Sequence, residues 1–237
     1  MSECLIITAT LEPNSVFVSQ QDSTARKKEY LKGLNYYLSN FDGEIYFIEN
    51  SSYDFEKDHD FQQLFINERV TLMQFPESTA FEKGKGFQEF EMLDSAVEQL
   101  ASKHNSFIKV TGRYVVTNFN QLKNQPCNDM VIDRHKKKGV AITSFFKCNT
   151  QFYLTHLKGE YKNANDSGGV FIEHVVYSRL LNLKKSHLNL FKSTPLYQGL
   201  SGSYGGKLNR HPLKTKARNA ERFFLHLFGL KEFKIEY

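Results

Sequence analysis

Tryptophan is absent from this chain of 237 residues, and cysteine (three) and proline (five) are scarce. Cys4, Cys127 and Cys148 are odd in number, far apart and outside any CxxC spacing, which excludes a disulfide framework and a cysteine zinc site. No run of 18 apolar residues occurs, so the sequence offers no membrane-spanning helix. The N-terminus, MSECLIITATLEPN, has neither a basic leader region nor a small-residue cleavage site, and the chain is expected to stay in the cytoplasm. Neither GxxxxGK[ST] nor GxGxxG is found, and zinc-finger spacing and RNP-type motifs are missing too. Nucleic acid is therefore a disfavoured partner.

What is present describes a globular protein. Hydrophobic residues make up 40% and charged residues 24%, with 21 Phe and 12 Tyr, enough for one sizeable core without internal repeats. The formal charge of +5 arises largely in the last third, where Lys184, Lys185, Lys192, Lys207, Arg210, Lys214, Lys216 and Arg218 gather. That clustering predicts an anionic partner, either a polyanionic ligand or a membrane surface.

Periodicity supplies the elements. CLIITAT at 4–10 reads as a buried strand, and apolar positions at helical spacing from Thr24, capped by Asp22 or Ser23, read as a helix ending near Gly43. EIYFIE at 44–49 is the next strand, so strand, helix and strand follow one another as in an α/β sheet with a parallel pair. Further strands are expected at 70–75 and 107–110, with a helix through Phe90, Leu93, Val97 and Leu100 between them. Segments 130–133 and 140–146 form a hairpin about the turn RHKKK. A helix is predicted over 149–161, capped by Asn149, and 170–183 reads as a second helix or as a strand passing into a helix. A glycine- and serine-rich loop follows Pro195, and 214–229 reads as a basic amphipathic helix.

Several polar groups carry chemistry in this pattern. Lys83-Gly84-Lys85-Gly86 opens a helix, where backbone N–H groups and ammonium groups meet phosphate; the plain alternative is a solvated loop. Lys109 and Arg113 bracket the end of a strand around Thr111-Gly112, and a guanidinium there can grip a diphosphate, unless a structural carboxylate holds it. Asp58-His59-Asp60 has metal-binding Asp-x-Asp spacing, yet its polar neighbours favour a solvated helix start. Asp129 and Asp133 flank a strand at an undiagnostic spacing. Glu173-His174 lies in an apolar run after DSGG, which holds a carboxylate at a helix start where burial raises its pKa toward that of a general base.

Taken together, IITATLEPN at 6–14, the helix opened by Arg26 with Tyr30-Leu31, FIENS at 47–51, GKGFQE at 84–89, FIKVTGRYVVTN at 107–118 and FIEHVVYSRL at 171–180 resemble a family of bacterial glycosyltransferase-like proteins of capsule and lipopolysaccharide clusters. The resemblance spans most of the chain up to GLSGS at 199–203, and no single motif carries it. It implies a GT-A-like, Rossmann-like α/β fold: a mixed, mainly parallel sheet flanked by helices, in one domain at 1–195 with a C-terminal extension at 196–237. It further implies a nucleotide-sugar donor and an oligosaccharide acceptor, lipid-linked; the basic amphipathic tail itself suggests an anionic membrane surface as a further partner, with a terminal helix packed on the core as the plain alternative.

The resemblance also implies roles. Thr8, Thr10, Glu49, Asn50 and Ser51 would line the nucleotide pocket, with Lys83, Lys85 and Glu89 beside it. Lys109, Thr111, Gly112, Arg113 and Asn118 would face the donor diphosphate or sugar. Glu173 would be the base and His174 its support, while Ser201, Ser203 and Lys207 would close over the phosphates. Asp133-Arg134-His135 departs from the Asp-Thr-Arg of relatives, which leaves the role of Asp133 open. TGRY stands where such enzymes carry Asp-x-Asp, so Mg²⁺ or Mn²⁺ is less expected than a metal-independent site in which Lys109 and Arg113 supply the charge. The competing expectation is a non-catalytic, nucleotide-binding scaffold of a polysaccharide assembly complex.

Overall fold

The computed structural model describes residues 2–13, 22–183, 187–199, 212–228 and 233. The N-terminal apolar run forms β1 (Ser2–Ala9), whose last six residues are all buried. A strand buried on both faces needs cover on both sides, and its side chains alternate between two layers. Cys4 and Ile6 join one core with Phe90, Leu93, Val176 and Leu180, whereas Leu5 and Ile7 join the other with Tyr30, Leu34, Phe47 and Ile108.

Helix α1 (Ser23–Asn40) starts as the sequence indicates, the Asp22 carboxylate accepting the Thr24 N–H at 3.0 Å. It leads into β2 (Ile45–Glu49), α2 (His59–Phe65), β3 (Val70–Gln74), α3 (Lys85–Leu100) and β4 (His104–Thr111). These four strands are parallel in the order β3-β2-β1-β4. After β5 (Val115–Val116) and α4 (Phe119–Leu122), β6 (Met130–His135) and β7 (Val140–Asn149) make the expected hairpin, and β7 runs antiparallel to β4. With β8 (Leu188–Asn189) the sheet has seven strands in the order β3-β2-β1-β4-β7-β6-β8, while β9 (Tyr197–Gln198) pairs with β5 separately.

The remaining helices are α5 (Thr150–His156), α6 (Ile172–Asn182) and α7 (Pro212–Leu227). The helix expected over 149–161 keeps its Asn149 cap but stops at His156: Gly159 turns left-handed (φ 85°) and gives its N–H to the Asp94 carboxylate at 2.6 Å. Between 170 and 183 the structure has a helix alone, begun after the left-handed Gly169.

Helix α1 lies against the end of β4 at a glycine-to-glycine approach. A Cβ at Gly33 would stand 2.1 Å from the Gly112 carbonyl oxygen, and one at Gly112 would stand 2.7 Å from Ile7 Cγ2. Gly33→Ala is therefore expected to cost about 2–3 kcal/mol through overpacking. Urea titration should show a lower midpoint at unchanged slope.

Candidate functional site

In the order β3-β2-β1-β4 the connections reverse direction between β1 and β4, where open α/β sheets place ligands beyond the carboxyl ends of the strands. Those ends carry Thr8 and Thr10, Glu49 to Ser51, and Thr111 to Arg113.

The floor is a closed ionic network centred on Glu89 in α3. Its Oε1 accepts from Thr8 Oγ1 (2.5 Å), Lys109 Nζ (2.7 Å) and Thr111 Oγ1 (2.9 Å). Lys109 is fully buried and also donates to the Thr143 carbonyl at 3.0 Å. Burial alone would raise the Glu89 pKa, but the Lys109 charge and these hydrogen bonds outweigh it and hold the carboxyl below its usual range. Lys109 therefore acts on the site through Glu89.

Beside it, Glu49 fastens two loops. Its carboxylate accepts from the N–H groups of Leu11 (2.9 Å) and Ser51 (2.8 Å) and from the Ser51 hydroxyl (2.5 Å), joining the chain after β1 to that after β2. Burial raises its pKa against those donors. The Thr10 hydroxyl donates to Asn50 at 2.7 Å, and the Asn50 amide donates to the Gln88 carbonyl at 3.3 Å.

The rim is built where α3 and α6 begin. Gly84 has φ 100°, and a Cβ there would fall 2.1 Å from the Asp166 carboxylate, which accepts the Lys85 backbone N–H. Gly86 lets Ile172 approach α3, with Cγ2 2.6 Å from where a Cβ would stand, and Glu173 follows beside Lys85. Burial lowers the Lys85 pKa, opposed by the charges of Glu173, Glu89 and Asp166. Burial raises the Glu173 pKa, and Glu89 and Asp166 add to the rise. A raised carboxyl also occurs at Asp94, pushed up to about 6 mainly by burial, so burial alone does not single out Glu173; its place beside Lys85 does.

Arg113 is almost wholly buried at the end of β4. Its Nε donates to Glu29 at 2.5 Å, while its Nη2 is buried without a hydrogen-bond partner. A buried guanidinium nitrogen left unsatisfied costs free energy that an anion would recover.

Other residues fall elsewhere. Lys83 lies over the Phe87 ring at 5.4 Å. The His174 ring accepts the Phe171 N–H at 3.3 Å, so it closes the start of α6 rather than supporting Glu173. Asn118 uses both ends of its amide on the main chain of Thr194 and Leu196, at 3.0 and 2.9 Å, which turns its side chain to structural work. Asp133 is buried 2.8 Å from Arg222 of α7. Asp58 caps α2, and with Asp60 it pairs with Lys27 at 2.8 and 2.7 Å, which accounts for both carboxylates as a helix start. Ser201, Ser203 and Lys207 lie outside the described residues. Sequence reading missed Glu29 and Asp166, whose partners, Arg113 and the start of α3, are brought to them only by folding.

Among the described residues no group of three His, Cys, Asp or Glu side chains is placed to hold a metal. Glu89 is committed to Lys109, and the Lys85 ammonium lies in the field of the other two carboxylates.

No protein-family model matches the chain, and no curated protein matches its sequence. In fold it is similar to GalNAc-T7, solved with UDP, GalNAc and Mn²⁺, at a TM-score of 0.51 and 10% identity over 93% of this chain and 48% of that one. The chain spans about half the length of that protein. Lower scores relate it to a protein described as a nucleotide-diphospho-sugar transferase from Desulfovibrio desulfuricans G20 (0.45, 10% identity, 76% of each chain). The 4-diphosphocytidyl-2C-methyl-D-erythritol synthase of Anaerococcus prevotii DSM 20548 scores 0.43 at 10% identity, over 93% of this chain and 95% of that one. The fold is thus of the GT-A type: one domain with a mixed, mainly parallel sheet between helices.

Proposed function

We propose that this chain is a glycosyltransferase that moves a sugar from a nucleotide-sugar donor to a saccharide acceptor by direct displacement. The observation that carries the reading is the buried, unpartnered Arg113 Nη2 beside Lys85 at the switch point, opposite a carboxylate of raised pKa. In this mechanism the acceptor hydroxyl oxygen attacks the anomeric carbon, Glu173 takes its proton, and the bond from that carbon to the phosphate oxygen breaks. The departing diphosphate keeps the electron pair and is stabilised by Arg113 and Lys85.

Lys109 holds Glu89 and Thr111 in place beneath the reacting groups. The nucleoside lies over the loops after β1 and β2, toward an open polar pocket lined by Glu12, Lys27, Tyr53 and Asp60. GalNAc-T7 was solved with Mn²⁺; here side-chain cations take the metal's electrostatic part. In this reading the catalytic unit spans 1–195 and the extension 196–237, and the acceptor is a lipid-linked oligosaccharide of a bacterial surface polysaccharide assembled on the cytoplasmic side.

Turnover tests this reading. Incubation with UDP-, GDP-, CMP- and dTDP-sugars in the presence of a chelator should release free nucleotide from one donor class when acceptor is supplied. Tight binding without consumption of any donor would instead identify a nucleotide-binding scaffold.

A further inference from the structure

Helix α7 is built inside out. A surface helix ordinarily buries its apolar stripe and shows water its charges. Here the inward face carries Leu225, packed against the core, beside polar anchors: Arg222, 4% exposed, pairs with Asp133 and donates to the Phe191 carbonyl at 2.6 Å. Asn219 accepts the Thr194 N–H at 2.9 Å, and Arg218 reaches the Arg134 carbonyl at 3.3 Å. The outward face carries Phe223, Phe224, Leu227 and Phe228, which are 64%, 55%, 64% and 67% exposed. Positions 223, 224, 227 and 228 recur at one helical turn and form a single stripe.

The inward anchors explain why this stripe stays outside. Turning the stripe inward would take Arg222 away from the buried Asp133 carboxylate and strand that charge, which opposes the rotation. An exposed stripe of three phenylalanines and a leucine, held outward by a buried ion pair, is an interaction surface.

Charge identifies what covers it. Helix α7 itself is basic, with Lys214, Lys216, Arg218 and Arg222 against a single acidic residue, Glu221. Lys216 is exposed in the first half of α7. A second copy of the chain would bring like charges together across a symmetric interface. An anionic bilayer accepts both features: aromatic rings enter the headgroup boundary and basic residues meet acidic lipid. No described helix is long and apolar enough to cross a membrane, so contact is at the surface.

We infer that the outward face of α7 docks on an anionic lipid surface. The location gives this contact a purpose. Ile132 of β6 and Lys109 of β4 both pair with Phe146 of β7, so Ile132, the neighbour of Asp133, stands two strand spacings from Lys109, about 10 Å. Lipid docking there sets the switch-point site beside the membrane, where an acceptor carried by lipid is presented. The surface stands on the helix alone and holds whether or not the chain transfers sugar.

Flotation of the full chain with vesicles of phosphatidylcholine, with or without equimolar phosphatidylglycerol, tests it. Wild type should float with the anionic vesicles, less so at high salt, and remain below with phosphatidylcholine alone. Phe223→Ala/Phe224→Ala/Leu227→Ala should lower partitioning about tenfold or more while circular dichroism and Tm stay unchanged, and Lys216→Glu should lower it less. The inference is overturned if wild type does not float, if wild type and the triple variant float alike, or if wild type is a dimer in solution that the triple variant dissociates.

Discussion

Replacing Lys109 by methionine should destabilise the protein by about 3–5 kcal/mol at neutral pH, because it strands the Glu89 carboxylate in a site built for an ion pair. The pH dependence has a definite sign. In the wild type the folded pKa of Glu89 lies below its ordinary value, so the pair contributes stability above the unfolded pKa, about 4.3, and loses it as pH falls through the folded pKa. Lys109→Met removes that contribution, so the two stability curves should lie far apart at pH 7 and converge below about pH 4. Urea unfolding across this range measures the gap. A variant as stable as wild type at pH 7 would show that the network does not hold the floor of the site.

Glu173→Gln should reduce transfer by about 100-fold or more, as expected when a general base is removed, with little change in Tm or in donor binding. Its shape is nearly conserved, and burial opposes the native charge, so neutralising it does not weaken the fold. In the wild type the rate should rise with pH through the raised pKa of Glu173, since only the carboxylate accepts the acceptor proton. The variant should lack that limb. Unchanged turnover in a folded Glu173→Gln protein would remove the base assignment, leaving nucleotide binding to be judged separately.

Local signals were readable in the sequence, and distant partnerships were not. The Asp22 and Asn149 caps each act within three residues, so composition reveals them directly. The order strand, helix, strand already implied the parallel arrangement that β1, β2 and β4 adopt. By contrast, Glu89 meets Lys109 across 20 residues and Thr8 across 81, and no periodicity encodes such a meeting. Arg113 illustrates both readings at once: one nitrogen is held by a structural carboxylate, as the plain alternative had it, while another is left without a partner.

Helix α7 shows a different limit. Its sequence displays an amphipathic period, and the core-packing expectation would turn Phe223, Phe224, Leu227 and Phe228 inward. The structure turns Arg222 inward, because a buried Asp133 on β6 demands a cation that only the fold brings near. Similarly, an asparagine after a strand reads equally well as a ligand or as a clamp, and Asn118 is a clamp because the chain at 194–196 returns to it.

Melting the protein in the presence of UDP-, GDP-, CMP- and dTDP-sugars, each with Mn²⁺ and with EDTA, tests the central claim most directly. Ligand at 100 times its Kd adds about 2.7 kcal/mol to the folded state, which is a readily measured rise in Tm. The account predicts a rise with one nucleotide class that persists in EDTA and is lost in Arg113→Met; no rise with any donor, or a rise that requires Mn²⁺, would contradict it.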